Sequence, residues 1–194
     1  KNYLFVGVSN LYARKKKHLF MKKQLIKLRS QLMVALVEKT KTKYIRFFKK
    51  DRQGWGISVE QLATFPIGSL GQDLANFLRK ENFDLMAGLE DHDVYHVLLG
   101  YSTEVEQEAQ MQFFLLGNGK RSLYAIGTSL VAFCTMPDQW LTFWDAYRKG
   151  QKSAKIHLWD FRYLLKEKTS NLQNLLYSSS RRTNPTSFFI VTPH

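Results

Sequence analysis

The side chains able to do chemistry gather in one stretch, His92-Asp93-Val94-Tyr95-His96, followed by Gly100-Tyr101-Ser102-Thr103 and Glu108. His92 and His96 are four residues apart. On a helix that spacing puts both imidazoles on one face, with Cβ atoms roughly 5–6 Å apart. Asp93 adds a carboxylate on the flank of the same turn. Gly100 reads as a helix stop. Thr103, with Glu106 three residues on, reads as a capping box that opens a second helix. A tight turn folds that helix back along the first and can bring Glu108 opposite the histidines. Two imidazoles and one or two carboxylates suit a divalent cation: zinc, iron or magnesium. The same spacing also fits two ordinary histidines at a core edge.

Other chemistries fit less well. A metal-dependent phosphohydrolase of the His-Asp type needs a further histidine upstream, and the only one is His18. A carboxylate-bridged di-iron bundle needs two Glu-x-x-His units, and only Asp93-Val94-Tyr95-His96 approximates one. The metalloprotease pattern His-Glu-x-x-His carries a glutamate where this chain has Asp93, whose arm is shorter. Gly54-Trp55-Gly56 follows no strand and cradles no phosphate. Cys134, the single cysteine, lies in an apolar run and reads as a buried, inert thiol.

The elements that must position this site read as helices. No alternating period-two run of useful length appears, and 44% hydrophobic residues is a globular composition. The expected fold is all-α: a single compact helical domain of about six to eight helices with a basic amphipathic N-terminal arm. The expected divisions are an arm over 1–52, a helical core over 53–177 and a polar tail over 178–194. Ser58 to Gln61 can cap a short helix, and Phe65-Pro66-Ile67-Gly68-Ser69 is a turn. Ser69 and Asp73 flank a helix that ends near Asn82. The second motif helix runs from Thr103 to about Leu116, closed by Gly117-Asn118-Gly119. Ser122 to Thr135 is apolar nearly all round and reads as a buried helix. It falls short of the roughly 20 residues that span a bilayer. Pro137 begins an aromatic-rich helix stopped by Gly150. Leu158 to Leu176 reads as the last amphipathic helix.

Charge separates the arm from the rest. Residues 1–52 hold 16 Lys and Arg against Glu38 and Asp51, a net +14, whereas 53–194 hold 13 basic and 14 acidic residues, a net −1. Apolar residues from Leu19 to Val37 recur at helical spacing, with lysines largely opposite. Lys15, Lys16, Lys17, Lys22 and Lys23 suit an anionic membrane surface. Interleaved basic and aromatic residues also suit nucleic acid, but no helix-turn-helix, zinc-finger or RNA-recognition motif supports that partner. A core-packed helix with solvated lysines is the third reading.

The pattern His92-Asp93-x-x-His96, eleven residues, Glu108 resembles that of the ubiquinone (coenzyme Q) biosynthesis family, the fourth Coq protein and its bacterial relatives. Pro66-Ile67-Gly68-Ser69-Leu70-Gly71, Gly100-Tyr101-Ser102-Thr103, Tyr147-Arg148-Lys149-Gly150 and Leu158-Trp159 are similar as well, so the resemblance covers about residues 58 to 176. Gln107 departs from it, standing where the family usually has glycine. The resemblance implies an all-helical peripheral membrane protein with a divalent metal at His92, Asp93, His96 and Glu108. It implies a prenylated quinone precursor or other isoprenoid lipid as ligand, and either oxidative decarboxylation of its ring or service as a scaffold for other quinone-biosynthesis proteins. If the protein is an enzyme, the same four residues are catalytic. Leu123, Gly127, Trp140, Phe143 and Trp144 are the candidates to sheath the tail. A homo-oligomer is expected, on the cytoplasmic face of a bacterial membrane or the matrix side of the mitochondrial inner membrane. The rival reading is a non-catalytic isoprenoid-binding scaffold at the membrane surface.

Overall fold

In a computed structural model of the chain, Ser58 Oγ accepts a hydrogen bond from the Gln61 N–H while Gln61 Oε1 accepts one from the Ser58 N–H. This capping box opens α1 (Val59–Ala63). The structure describes residues 14–17, 19–21, 23–29, 31, 35 and 54–178. The chain forms two units, 1–40 and 41–194. In the first, the described residues are helical, and Leu19, Phe20, Leu25 and Leu28 are exposed, as are Lys15, Lys16, Lys17 and Lys23. Lys22, the segment 36–53 and the tail from 179 lie outside the described residues.

The second unit continues with α2 (Leu70–Glu81), α3 (Glu90–Leu99), α4 (Val105–Asn118), α5 (Leu123–Thr135), α6 (Trp140–Lys152) and α7 (Thr169–Tyr177). No strand forms among the described residues; a single isolated bridge joins Ser69 to Lys168. Ser69 caps α2 through the Gln72 N–H, and Asn82 ends it in the left-handed conformation at φ 55°. The core joins Leu74 and Leu78 of α2, Val94 and Leu98 of α3, Phe114 and Leu115 of α4, and Leu172 and Leu176 of α7. Each such side chain contributes about 1.5–3 kcal/mol by leaving water.

Four local expectations change in three dimensions. Gly150 does not stop a helix. It lies inside α6, where an added Cβ would sit 2.0 Å from the Phe114 carbonyl oxygen, and one at Gly117 would sit 2.0 Å from that of Tyr147. The two glycines let the backbones of α4 and α6 touch, so packing rather than termination explains Gly150. The stretch from Leu158 to Leu176 is not one helix. Short 3-10 turns, Ile156–Leu158 and Phe161–Leu164, precede α7. The break lets the Leu70 and Gly71 N–H groups donate to the carbonyls of Glu167 and Leu165. Thr103 does not cap α4; the N-cap is Glu104, and Thr103 Oγ1 donates to Glu81 Oε2 at 2.8 Å. Finally, α5 is not buried. Only Ala125, Ser129 and Ala132 are, and Cys134 is exposed. Among the described residues, α5 packs chiefly against α4, and its large apolar side chains stay exposed.

Candidate metal centre

The α3–α4 hairpin builds the site. Gly100 ends α3 at φ 73°, a left-handed position that glycine takes without steric cost. The chain then turns at once: Gln107 Oε1 accepts the Ser102 N–H at 2.8 Å, and Thr103 is pinned to α2 through Glu81. α4 begins at Val105, so Glu108 falls at the end of its first turn. His92 and His96 stand one turn apart on α3, their rings edge to face with centroids 4.8 Å apart. Glu90, Asp91 and Asp93 occupy the first turn of α3, where the helix dipole favours negative charge.

Glu108 bridges the two imidazoles. Its Oε1 lies 2.9 Å from His92 Nε2 and its Oε2 lies 3.1 Å from His96 Nε2. Behind His96, Nδ1 meets the Tyr101 carbonyl oxygen at 3.0 Å. A carbonyl only accepts, so His96 Nδ1 carries the hydrogen. With Nδ1–H so committed, a neutral imidazole would point an Nε2 lone pair at the carboxylate oxygen 3.1 Å away. Two acceptors at that distance need a cation between them, a proton or a metal. Phe77 stacks on His96 at 5.2 Å and leaves the histidine buried, 4% exposed. Gln112 Nε2 donates to Glu108 Oε1 at 2.8 Å and holds the carboxylate in place.

Without metal, protons supply the cation. Burial pulls the His92 pKa down, but the Glu108 carboxylate, Asp93 and their hydrogen bonds outweigh it and raise it to about 9. Burial likewise pushes Glu108 up, yet His92 and the hydrogen bonds from both histidines hold it well below the usual carboxylate range. Burial, helped by Tyr177, pushes the neighbouring Tyr101 phenol up to about 12, so it is protonated at neutral pH.

A divalent cation fits this donor set. One ligand atom each from His92, His96 and Glu108 lies within 4.8 Å of the others. The Nδ1–H bond from His96 to a carbonyl is the outer-shell support that ligating histidines commonly have. Asp93 lies outside the trio. Its Oδ1 is 3.6 Å from His92 Nδ1, on the far side of the ring from Glu108. There it stands behind His92 as an orienting carboxylate.

Of the residues expected to sheath a lipid tail, Leu123, Gly127, Trp140 and Trp144 are exposed. Phe143 is not available: it is 1% exposed and stacks on Phe113 at 4.6 Å, part of the α4–α6 contact. Three residues of the site escaped the sequence reading. Gln112 was open to it, four residues after Glu108 on the same helix face. The Tyr101 carbonyl and the Phe77 ring were not, because a backbone acceptor and a cross-helix stack leave no mark in spacing.

No protein-family model matches the chain, and no curated protein matches it. Among solved structures, it is similar to the crystal structure of a protein from Nostoc punctiforme PCC 73102 named as a candidate ubiquinone biosynthesis protein. The TM-score is 0.53 at 20% identity, over 78% of this chain and 82% of that one. The chain thus shares its helical fold with that protein.

Proposed function

We propose that this chain is a ubiquinone-biosynthesis-type protein. It holds a divalent metal at His92, His96 and Glu108, and through it the oxygenated head of a prenylated quinone precursor. The observation that carries the reading is His96 Nε2 lying 3.1 Å from Glu108 Oε2 with Nδ1 committed to the Tyr101 carbonyl, a contact that a proton or a metal must complete. The fold shared with the Nostoc protein supports the pathway. When bound, such a metal supplies Lewis-acid polarisation of the head's oxygens. The protein's own residues do the rest. Tyr101 fixes the His96 tautomer, Gln112 and Asp93 orient Glu108 and His92, and Phe77 keeps water from one face of the site.

The role is oxidative decarboxylation of the ring, scaffolding of the biosynthetic complex, or both. Trp140 begins α6 toward the end of the α4–α6 pair that carries Glu108. The arm's exposed Leu19, Phe20, Leu25 and Leu28, with its lysines, has the composition of a helix lying on a membrane. Native mass spectrometry of the wild type and His96→Ala tests the proposal. A divalent metal and a prenyl-lipid mass on the wild type, with the metal lost in the variant, are expected. Metal-free wild type after equilibration with zinc, iron and magnesium would overturn it. Bound metal and lipid without turnover would select the scaffold.

A further inference from the structure

Helix α5 is packed with its large side chains outward. It buries Ala125, Ser129 and Ala132, and leaves Leu123 65%, Ile126 46%, Leu130 61% and Phe133 45% exposed. At helical spacing these four share one face, roughly a third of the circumference, with Gly127 and Cys134. The face continues onto α6. Trp140 stacks on Phe133 at 4.7 Å and donates its Nε1–H to the Phe133 carbonyl. Leu141 is 82% and Trp144 57% exposed. An apolar surface of this extent marks an interaction site. At 13 residues α5 is about 20 Å long, against about 30 Å of bilayer hydrocarbon, so it can lie in a membrane face but not span it.

Charge selects the occupant. No Asp or Glu occurs from Ala109 to Pro137 or from Ala146 to Trp159. α4 and α6 run parallel: Phe113 meets Phe143, Gly117 meets Tyr147, and the Asn118 amide donates to the Gly150 and Ala154 carbonyls. The start of α5 and the end of α6 therefore lie at one end of the bundle. There the exposed Arg121, Arg148, Lys149 and Lys152 gather. Asp138 is at the opposite end and Asp145 about midway. An apolar face with a cationic foot complements an anionic surface better than a second copy carrying the same charges.

We infer that α5 is a membrane-docking helix that lies flat in the face of an anionic bilayer. This rests on the peripheral-membrane part of the reading above and assigns the contact to α5 rather than to the arm alone. Leu123, Ile126, Leu130 and Phe133 enter the acyl boundary. Trp140 and Trp144 sit at headgroup level, as amphipathic rings do. The four cations meet phosphates.

Cys134, the only cysteine, is exposed on this face and gives a direct probe. The full chain, labelled there with nitrobenzoxadiazole, is mixed with phosphatidylcholine vesicles with or without phosphatidylglycerol. Emission should shift to the blue with the anionic vesicles and be quenched by brominated acyl chains. Leu130→Glu, unlabelled and scored by vesicle flotation, should weaken partitioning about tenfold, with circular dichroism and metal content unchanged. Three results overturn the inference: flotation without an emission shift, which leaves the arm as sole anchor; a shift that appears without vesicles and grows with protein concentration, which makes the occupant a second copy; or no binding. Metal content on the same preparation separates the two readings. Retained metal with no shift refutes this face alone, and a shift without metal refutes only the metal site.

Discussion

The α3–α4 hairpin and the α5 face depart from the usual distribution of side chains in opposite directions. The hairpin buries polar groups: Glu90 and His96 are each 4% exposed and Gln112 2%. Helix α5 exposes large apolar ones. The hairpin's departure is closed within the chain, since Glu90 accepts the Trp55 N–H, His96 donates to Tyr101 and Gln112 donates to Glu108. The remaining contact, His96 Nε2 to Glu108 Oε2 at 3.1 Å, is one that a proton or a metal completes. The departure at α5 is not closed among the described residues, where Leu123, Ile126 and Leu130 are exposed. Buried polar groups are costly unless each finds a mate, so the first region has the donor set that one small ion would complete. Exposed apolar area is costly in proportion to its size, so the second is built for an extended surface.

Both regions hang on the contact between α4 and α6, and breaking it should have the largest effect. Gly150→Val places a methyl-bearing Cβ against the Phe114 carbonyl and should cost about 3 kcal/mol or more, lowering Tm by roughly 6–12 °C in a thermal melt. Metal and membrane functions should fail together in that variant. Glu108→Gln should separate them. Isothermal titration should show metal affinity falling at least about 100-fold, while vesicle binding persists.

The pH dependence sharpens the comparison, because His92 and Glu108 titrate and the apolar side chains of α5 do not. The raised His92 pKa contributes stability that is full below the ordinary value of 6.5 and is lost as pH rises through about 9. The depressed Glu108 pKa contributes stability present above the ordinary value of 4.5 and lost as pH falls below it. Metal-free protein should therefore gain most from this pair between pH 4.5 and 6.5. Metal affinity should run the other way and rise about tenfold per pH unit between pH 7 and 9, as His92 gives up its proton. Denaturation of the metal-free protein and metal titration across that range should show opposite slopes. Asp93→Asn weakens the support behind His92 and should reduce metal affinity about tenfold; an effect as large as that of Glu108→Gln would make Asp93 a direct ligand. The smallest effect belongs to α5. In solution Leu130→Glu should change stability by no more than about 0.5 kcal/mol, whereas Leu98→Ala in the core should cost about 2–5 kcal/mol.

Much of this was legible without coordinates. The all-helical class followed from the periodicity, and Ser58, Ser69, Asn82 and Gly100 punctuate helices where their local chemistry places them. Such signals are readable because they act over three or four residues. The same locality explains His92 and His96, which one helix must put on one face. Their meeting with Glu108 was foreshadowed by the short Gly100–Glu104 turn, which leaves the second helix little choice of direction.

Tertiary structure decided what depends on the partner of each element. Gly150 reads as a stop until Phe114 is seen against it. The apolar helix from Leu123 to Thr135 reads as core, yet composition states what a helix prefers to touch and not whether the fold supplies it. Here the fold fully buries only the small side chains of α5, Ala125, Ser129 and Ala132. Asp93 is adjacent to His92 in sequence, yet the turn of the helix sets it on the Nδ1 side, opposite Glu108. Types and spacing determined that the described residues are helical and that His92, His96 and Glu108 form a cluster able to hold a metal. Which nitrogen faces which oxygen, and which apolar face is left exposed, depended on how the helices cross, because those distances are set between residues far apart along the chain.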